Sequence, residues 1–116
     1  TNDGGLGMAL ALGYQFYRQG QVFQPDLTTL LEADQLKAPP ALQAQVLVAC
    51  DVQNPLLGPT GATRIYGPQK GVKDFPWFEA RLDHLAKLAQ RDLGITAPPD
   101  VMGEQLIGHL TRLLNR

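Results

Sequence analysis

The chain of 116 residues is one domain's worth, long enough to bury a core without covalent staples. With 44% hydrophobic and 18% charged residues it has an ordinary globular composition, and a net charge of −1 gives no electrostatic basis for binding nucleic acid or an anionic membrane. Its single cysteine, Cys50, excludes an internal disulfide. With that lone cysteine a reducing cytoplasm is the expected compartment, and no apolar run approaches the roughly 20 residues a bilayer-crossing helix needs.

In chain order, Asn2 or Asp3 can cap a first helix through Met8-Ala-Leu-Ala-Leu12, which Gly13 ends. Tyr14-Gln-Phe-Tyr17 and Gln21-Val-Phe23 flank Arg18-Gln-Gly-Gln21 and predict a β-hairpin. Residues 26–31 predict a short helix or the approach to a strand at Leu30-Leu-Glu-Ala33. Pro39-Pro40 ends that region. Gln45-Val-Leu-Val-Ala-Cys-Asp51 is a continuous apolar run, the pattern of a strand covered on both faces. Residues 53–71 read as loop with one helical turn near Ala62 to Tyr66. Phe75, Phe78, Leu82, Leu85 and Ala89 recur at helical spacing, predicting an amphipathic helix up to Leu93-Gly94. Pro98-Pro99 follows, then a last helix with Met102, Leu106, Leu110 and Leu113 on one face.

Three segments carry chemistry, and each has a plain structural alternative. Asn2-Asp3-Gly4-Gly5-Leu-Gly7 places glycines at a helix start, where a ligand can approach backbone N–H groups. It lacks the third glycine of a dinucleotide fingerprint. Asp3 would repel a phosphate, which leaves a metal or a substrate hydroxyl as its partner, or a capped helix start. Asp51, at the predicted strand end, can take a proton from an alcohol or hold Mg²⁺; Asn54 adds an amide in the rigid turn before Pro55. Both also suit an Asx-turn. In Gly67-Pro-Gln69-Lys70-Gly71, the Lys70 ammonium is held outside regular structure as a point charge for phosphate or carboxylate, or is a solvated turn lysine. His84 and His109 have no partner at metal-ligand spacing and read as surface or boundary residues. Cys50 reads as an inert small hydrophobe. Trp77, Phe75 and Phe78 read as a core cluster at a helix start rather than as a stacking platform.

Ala-Cys-Asp51-Val-Gln-Asn54-Pro-Leu-Leu-Gly-Pro-Thr-Gly61-Ala-Thr-Arg-Ile-Tyr-Gly-Pro-Gln69-Lys70-Gly71 resembles the signature of the bacterial glycerate kinases of the two-domain type. Thr1-Asn2-Asp3-Gly4-Gly5-Leu-Gly-Met is similar to a second segment of that family, in the same order and at about its spacing. The resemblance covers most of residues 1–93. It implies ATP-dependent phosphorylation of D-glycerate to 2-phosphoglycerate or 3-phosphoglycerate, with Mg²⁺, in a cleft between two α/β domains.

On that resemblance the chain is expected to be α/β, a small mixed β-sheet with flanking helices. It would be the second domain of a two-domain kinase, inserted into a Rossmann-like first domain. The opening Thr1-Asn2-Asp3 then suggests a processed product or an excised piece, and residues 104–116 look like a closing C-terminal helix from a separate segment of the full chain. The resemblance carries Asp51 and Lys70 as site residues without settling their roles; the needs of phosphoryl transfer give Asp51 to Mg²⁺ or the substrate hydroxyl, and Lys70 to the transferring phosphate or the glycerate carboxylate. Asn2, Asp3, Gly4, Gly5, Asn54 and Gln69 are expected to bind substrate or phosphate. With no phosphate loop of the Walker type, this part is expected to bring substrate loops onto a nucleotide held mainly elsewhere. The rival from another class is a truncated, non-catalytic interaction module that keeps the fold.

Overall fold

A computed structural model describes residues 3–40 and 57–94. The expected strand at residues 45–51 and the expected last helix lie outside the described residues, as do Asn2, Asp51, Asn54, Cys50 and His109. The first helix, α1, is short, Leu6–Ala11, with Leu6 its buried residue. Gly13, at φ 95°, turns the chain out of it.

A three-stranded antiparallel sheet follows: β1 (Gln15–Arg18), β2 (Gln21–Phe23) and β3 (Gln35–Lys37), in the order β2-β1-β3. The hairpin register pairs Phe16 with Phe23 and Arg18 with Gln21, leaving Gln19 and Gly20 as a two-residue turn. Both turn residues have positive φ, 51° and 78°, the handedness that matches the twist of paired strands. Asp34 braces that turn by accepting the Gln19 N–H at 2.9 Å.

The strand expected at residues 30–33 is instead a 3-10 turn, Leu30–Glu32, and the third strand lies further on. In a 3-10 turn, residues three apart share a face. Leu30 and Ala33 therefore both point into the core, at 0% and 2% exposure, without needing strand geometry. β3 has one apolar residue, Leu36, which faces Phe16 across the ladder.

The helix α3, Phe75–Leu93, covers this sheet. Asp74 caps it by accepting the Trp77 N–H at 3.1 Å, Pro76 sits in the first turn, and Gly94, at φ 64°, closes it. Leu85, Leu88, Ala89 and Leu93 pack with Leu6, Tyr14, Phe16, Leu30, Ala33 and Leu36 in the main core. Between the sheet and α3 come the short helix α2 (Ala62–Tyr66) and a 3-10 turn, Pro68–Lys70; α2 packs against α3. No helix of the described residues is long and apolar enough to cross a membrane.

Candidate functional site

The amino-terminal segment is a brace built around Asp3. Its carboxylate accepts the Gly5 N–H at 3.0 Å through Oδ1 and the Gly7 N–H at 3.1 Å through Oδ2. Two backbone donors at the start of α1 are thereby satisfied by a residue just ahead of the formal cap, Gly5, whose φ is 87°. The capping expected of Asp3 is what the structure shows. With each oxygen already accepting a backbone N–H, Asp3 shapes the Gly4-Gly5 turn. Gly4, at φ 64°, lies so close to α3 that a Cβ there would stand 2.9 Å from Leu82 Cδ2 and 3.1 Å from Leu85 Cδ2.

The described part of the second segment reaches the same helix. Leu57 packs against Leu82 and Ala86 of α3, and the Gly58 N–H donates to Glu79 Oε2 at 3.2 Å. Glu79, Leu82 and Ala86 occupy one stripe of α3, at i, i+3 and i+7. The Leu82–Ala86 part of α3 thus meets both motif segments, which stand more than fifty residues apart in the chain. Glu79 has no counterpart among the residues singled out from sequence. The available signal was an acidic residue extending an otherwise apolar helical stripe.

Two buried oxygens near this stripe are unpartnered among the described residues: Glu79 Oε1 and the hydroxyl of Thr63, a fully buried residue of α2. Buried polar atoms nearly always find a partner, so each such exception calls for an explanation.

Gln69 and Lys70 are exposed. The expectation that Lys70 stands outside regular structure is corrected, since it is the last residue of the Pro68–Lys70 turn, fixed by Lys70 N–H to Gly67 carbonyl (2.9 Å) and by Gly71 at φ 80°. The turn is closely packed and needs glycine at its start: a Cβ on Gly67 would collide with the Thr63 carbonyl and stand 3.0 Å from Val72 Cβ. The ammonium therefore projects into solvent from a well-defined base. The described contacts place Gly4 against Leu82 and Leu85 of α3, and Leu57 and Gly58 against the same helix, while Gln69 and Lys70 extend from the following turn.

The aromatic group at the head of α3 is also corrected. Phe75, Trp77 and Phe78 are half-buried rather than core. Trp77 and Phe78 meet edge to face at 4.9 Å; the Arg81 guanidinium lies 3.6 Å over the Trp77 ring, and Arg64 lies 5.0 Å over Phe75. Arg81 also donates to the Leu27 carbonyl at 2.7 Å, tying α3 to the segment before β3. His84 is half-buried, as a boundary residue should be, and its Nε2 donates to the Ala33 carbonyl at 2.7 Å. Among the described residues, no three His, Cys, Asp or Glu side chains are placed to hold a metal ion.

Comparisons with known proteins bear on these same segments. The model of the glycerate kinase family matches residues 1–104. A glycerate kinase of Haemophilus influenzae is 41% identical over 103 residues, which cover 81% of this chain and 27% of that protein. The glycerate 2-kinase of Escherichia coli (strain K12) is 39% identical over 115 residues, 93% of this chain and 30% of that one. A solved structure described as a glycerate kinase 2 of Salmonella typhimurium LT2 aligns with a TM-score of 0.75 at 34% identity, covering 89% of this chain and 30% of that chain. The chain thus spans 27% to 30% of the length of these relatives.

Proposed function

The chain belongs to the glycerate kinase family, and on that premise we propose that it forms the substrate side of an enzyme transferring a phosphoryl group from ATP to a hydroxyl of D-glycerate. The observation that carries the reading is the meeting of described parts of the two motif segments on the Leu82–Ala86 part of α3. Segments so far apart in sequence need a common anchor to act on one small molecule, and α3 is that anchor.

Phosphoryl transfer asks little covalent chemistry of a protein and much positioning and charge neutralisation. Lys70, projecting from its closely packed turn, offers a point charge to the transferring phosphate or to the glycerate carboxylate. Asp51 receives or orients the proton of the attacking hydroxyl, or serves as the carboxylate that holds Mg²⁺. Asn54 and Gln69 supply orienting hydrogen bonds, and Asn2 does so beside the Gly4-Gly5 turn that Asp3 braces. ATP with Mg²⁺, when bound, supplies the phosphoryl group and part of the charge neutralisation. A Rossmann-like domain of the same protein would hold most of the nucleotide, with the site closing between the two. The residues present fit an anionic ligand at Lys70 better than a metal at Asp3, whose two oxygens already serve α1.

The test is direct. The protein, with its natural flanking sequence, is incubated with ATP, Mg²⁺ and D-glycerate and followed by ³¹P NMR. Stoichiometric ADP and a phosphoglycerate are expected, with 2-phosphoglycerate the first expectation and 3-phosphoglycerate distinguished by its spectrum. ATP consumption indifferent to D-glycerate would overturn the reading.

A further inference from the structure

We propose that the outer edge of β3 is a strand-pairing surface held closed by Arg91 and Asp92 of α3. The partner it would take is the same edge of a second copy of this chain. The inference is independent of the phosphoryl-transfer reading. β1 occupies one side of β3, and among the described residues no strand lies on the other. An antiparallel strand turns its N–H and C=O groups alternately to its two sides. The Leu36 N–H is turned away from β1, since it donates to Asp92 Oδ2 at 2.8 Å. Beside that edge runs a groove of about 540 Å³, walled by residues 35–38 on one side and by Arg91, Asp92 and Leu93 on the other. Left uncovered, such an edge is a template on which another chain can add a strand.

Arg91 and Asp92 take the places of a neighbouring strand. Asp92 accepts the outward N–H of Leu36, and Arg91 donates to the Asp34 carbonyl two residues earlier. A carbonyl and an N–H at that spacing are the two groups that one residue of an adjacent parallel strand would bond. Here a basic and an acidic side chain do so instead. The two are also bonded to each other, with Arg91 Nε and Nη2 donating to Asp92 Oδ1 and Oδ2 at 2.8 Å and 3.1 Å. The Asp92 side chain is only 16% exposed, so water competes weakly for its bond to Leu36. The groups behind this plug are self-complementary. About a two-fold axis at Leu36, antiparallel pairing of two β3 strands would let each Leu36 exchange its N–H and C=O with the other. Gln35 of one copy would then stand opposite Lys37 of the other, so no like charges meet.

The test uses the protein with its natural flanking sequence. Replacing both guards, Arg91→Ala together with Asp92→Ala, is expected to double the particle mass in sedimentation velocity as concentration rises. Hydrogen exchange on the peptide spanning residues 34–38 should slow over the same range, because the Leu36 N–H freed by the substitution acquires a partner. Adding Gln35→Lys to that variant sets a lysine opposite Lys37 of the other copy and should return the unmodified mass. Leu88→Ala, which loosens the core without touching the edge, controls for association caused by unfolding. An unchanged mass in the double variant, equal association by Leu88→Ala, or exchange slowed at residues 21–23 instead would each overturn the proposal. Failure of Gln35→Lys to restore the mass would overturn the pairing of two copies.

Discussion

The two halves of α3 meet their neighbours in different ways. From His84 onward, the helix is fastened to the sheet region by polar side chains that each find a partner. His84 takes the Ala33 carbonyl, Asp92 accepts the Leu36 N–H at 2.8 Å and the Arg91 Nε–H at 2.8 Å, and Arg91 donates to the Asp34 carbonyl. Between these fasteners runs the apolar row of Leu85, Leu88, Ala89 and Leu93. The first half faces the glycine-rich segments instead, and there the Glu79 oxygen and the Thr63 hydroxyl are buried without partners among the described residues. The sheet half has one such atom, the Tyr14 hydroxyl, whose burial raises its pKa. One half of the helix is built for stability. The other carries buried polar atoms without partners among the described residues, the pattern found where local consistency yields to function.

Changes at the proposed chemistry should have the largest effect, and they should act on rate alone. Asp51→Asn and Lys70→Ala, in the protein with its natural flanks, are each expected to lower kcat by about 100-fold or more while leaving circular dichroism and melting unchanged. Near-normal turnover in either variant would remove that residue from the site.

Substitution in the sheet half should do the reverse. Leu88→Ala, at a position 3% exposed, is expected to cost about 2–5 kcal/mol in denaturant unfolding, with activity per folded molecule preserved. A variant that loses specific activity in step with stability would show that the halves are not separable.

Acid should loosen the same half. The bond from Arg91, and then that from the Leu36 N–H, hold Asp92 below its ordinary pKa. The unfolded chain therefore binds this proton more readily than the folded one. The stabilisation is complete above the ordinary carboxylate range and is lost as pH falls through the lowered pKa. Asp92→Asn should flatten that part of the stability–pH curve; an unchanged acid limb would show that the proton is taken up elsewhere.

The smallest effect should come from Thr63→Val. It removes a buried hydroxyl that has no partner among the described residues, and is expected to stabilise the fold by about 1 kcal/mol in thermal melting. A loss of stability would mean that the hydroxyl is satisfied, and the contrast between the halves would weaken.

How much of this could be read from the residues varied with how local the causes were. α3 was legible because its apolar spacing and its Gly94 stop agree. The hairpin was legible from Gln19-Gly20 between two β-rich runs. The third strand was not, because Gln35-Leu36-Lys37 has little pattern of its own and is held by β1 and by Asp92, a residue 56 positions away from Leu36. In the site, Gly4, Gly5, Gln69 and Lys70 stand out as motif residues. Glu79 does not, because its bond to the Gly58 N–H depends on a contact more than twenty residues away in the chain. The bracing role of Asp3 was foreseeable from helix capping alone.

The stacking of Arg81 on Trp77 has a practical consequence. Trp77 is the only tryptophan of the chain, and it lies at the head of α3 with a guanidinium 3.6 Å from its ring. Its emission is therefore a built-in optical signal from the first turns of the helix that gathers the candidate site. A shift in that emission on adding D-glycerate would report events at this end of α3 without any label being introduced.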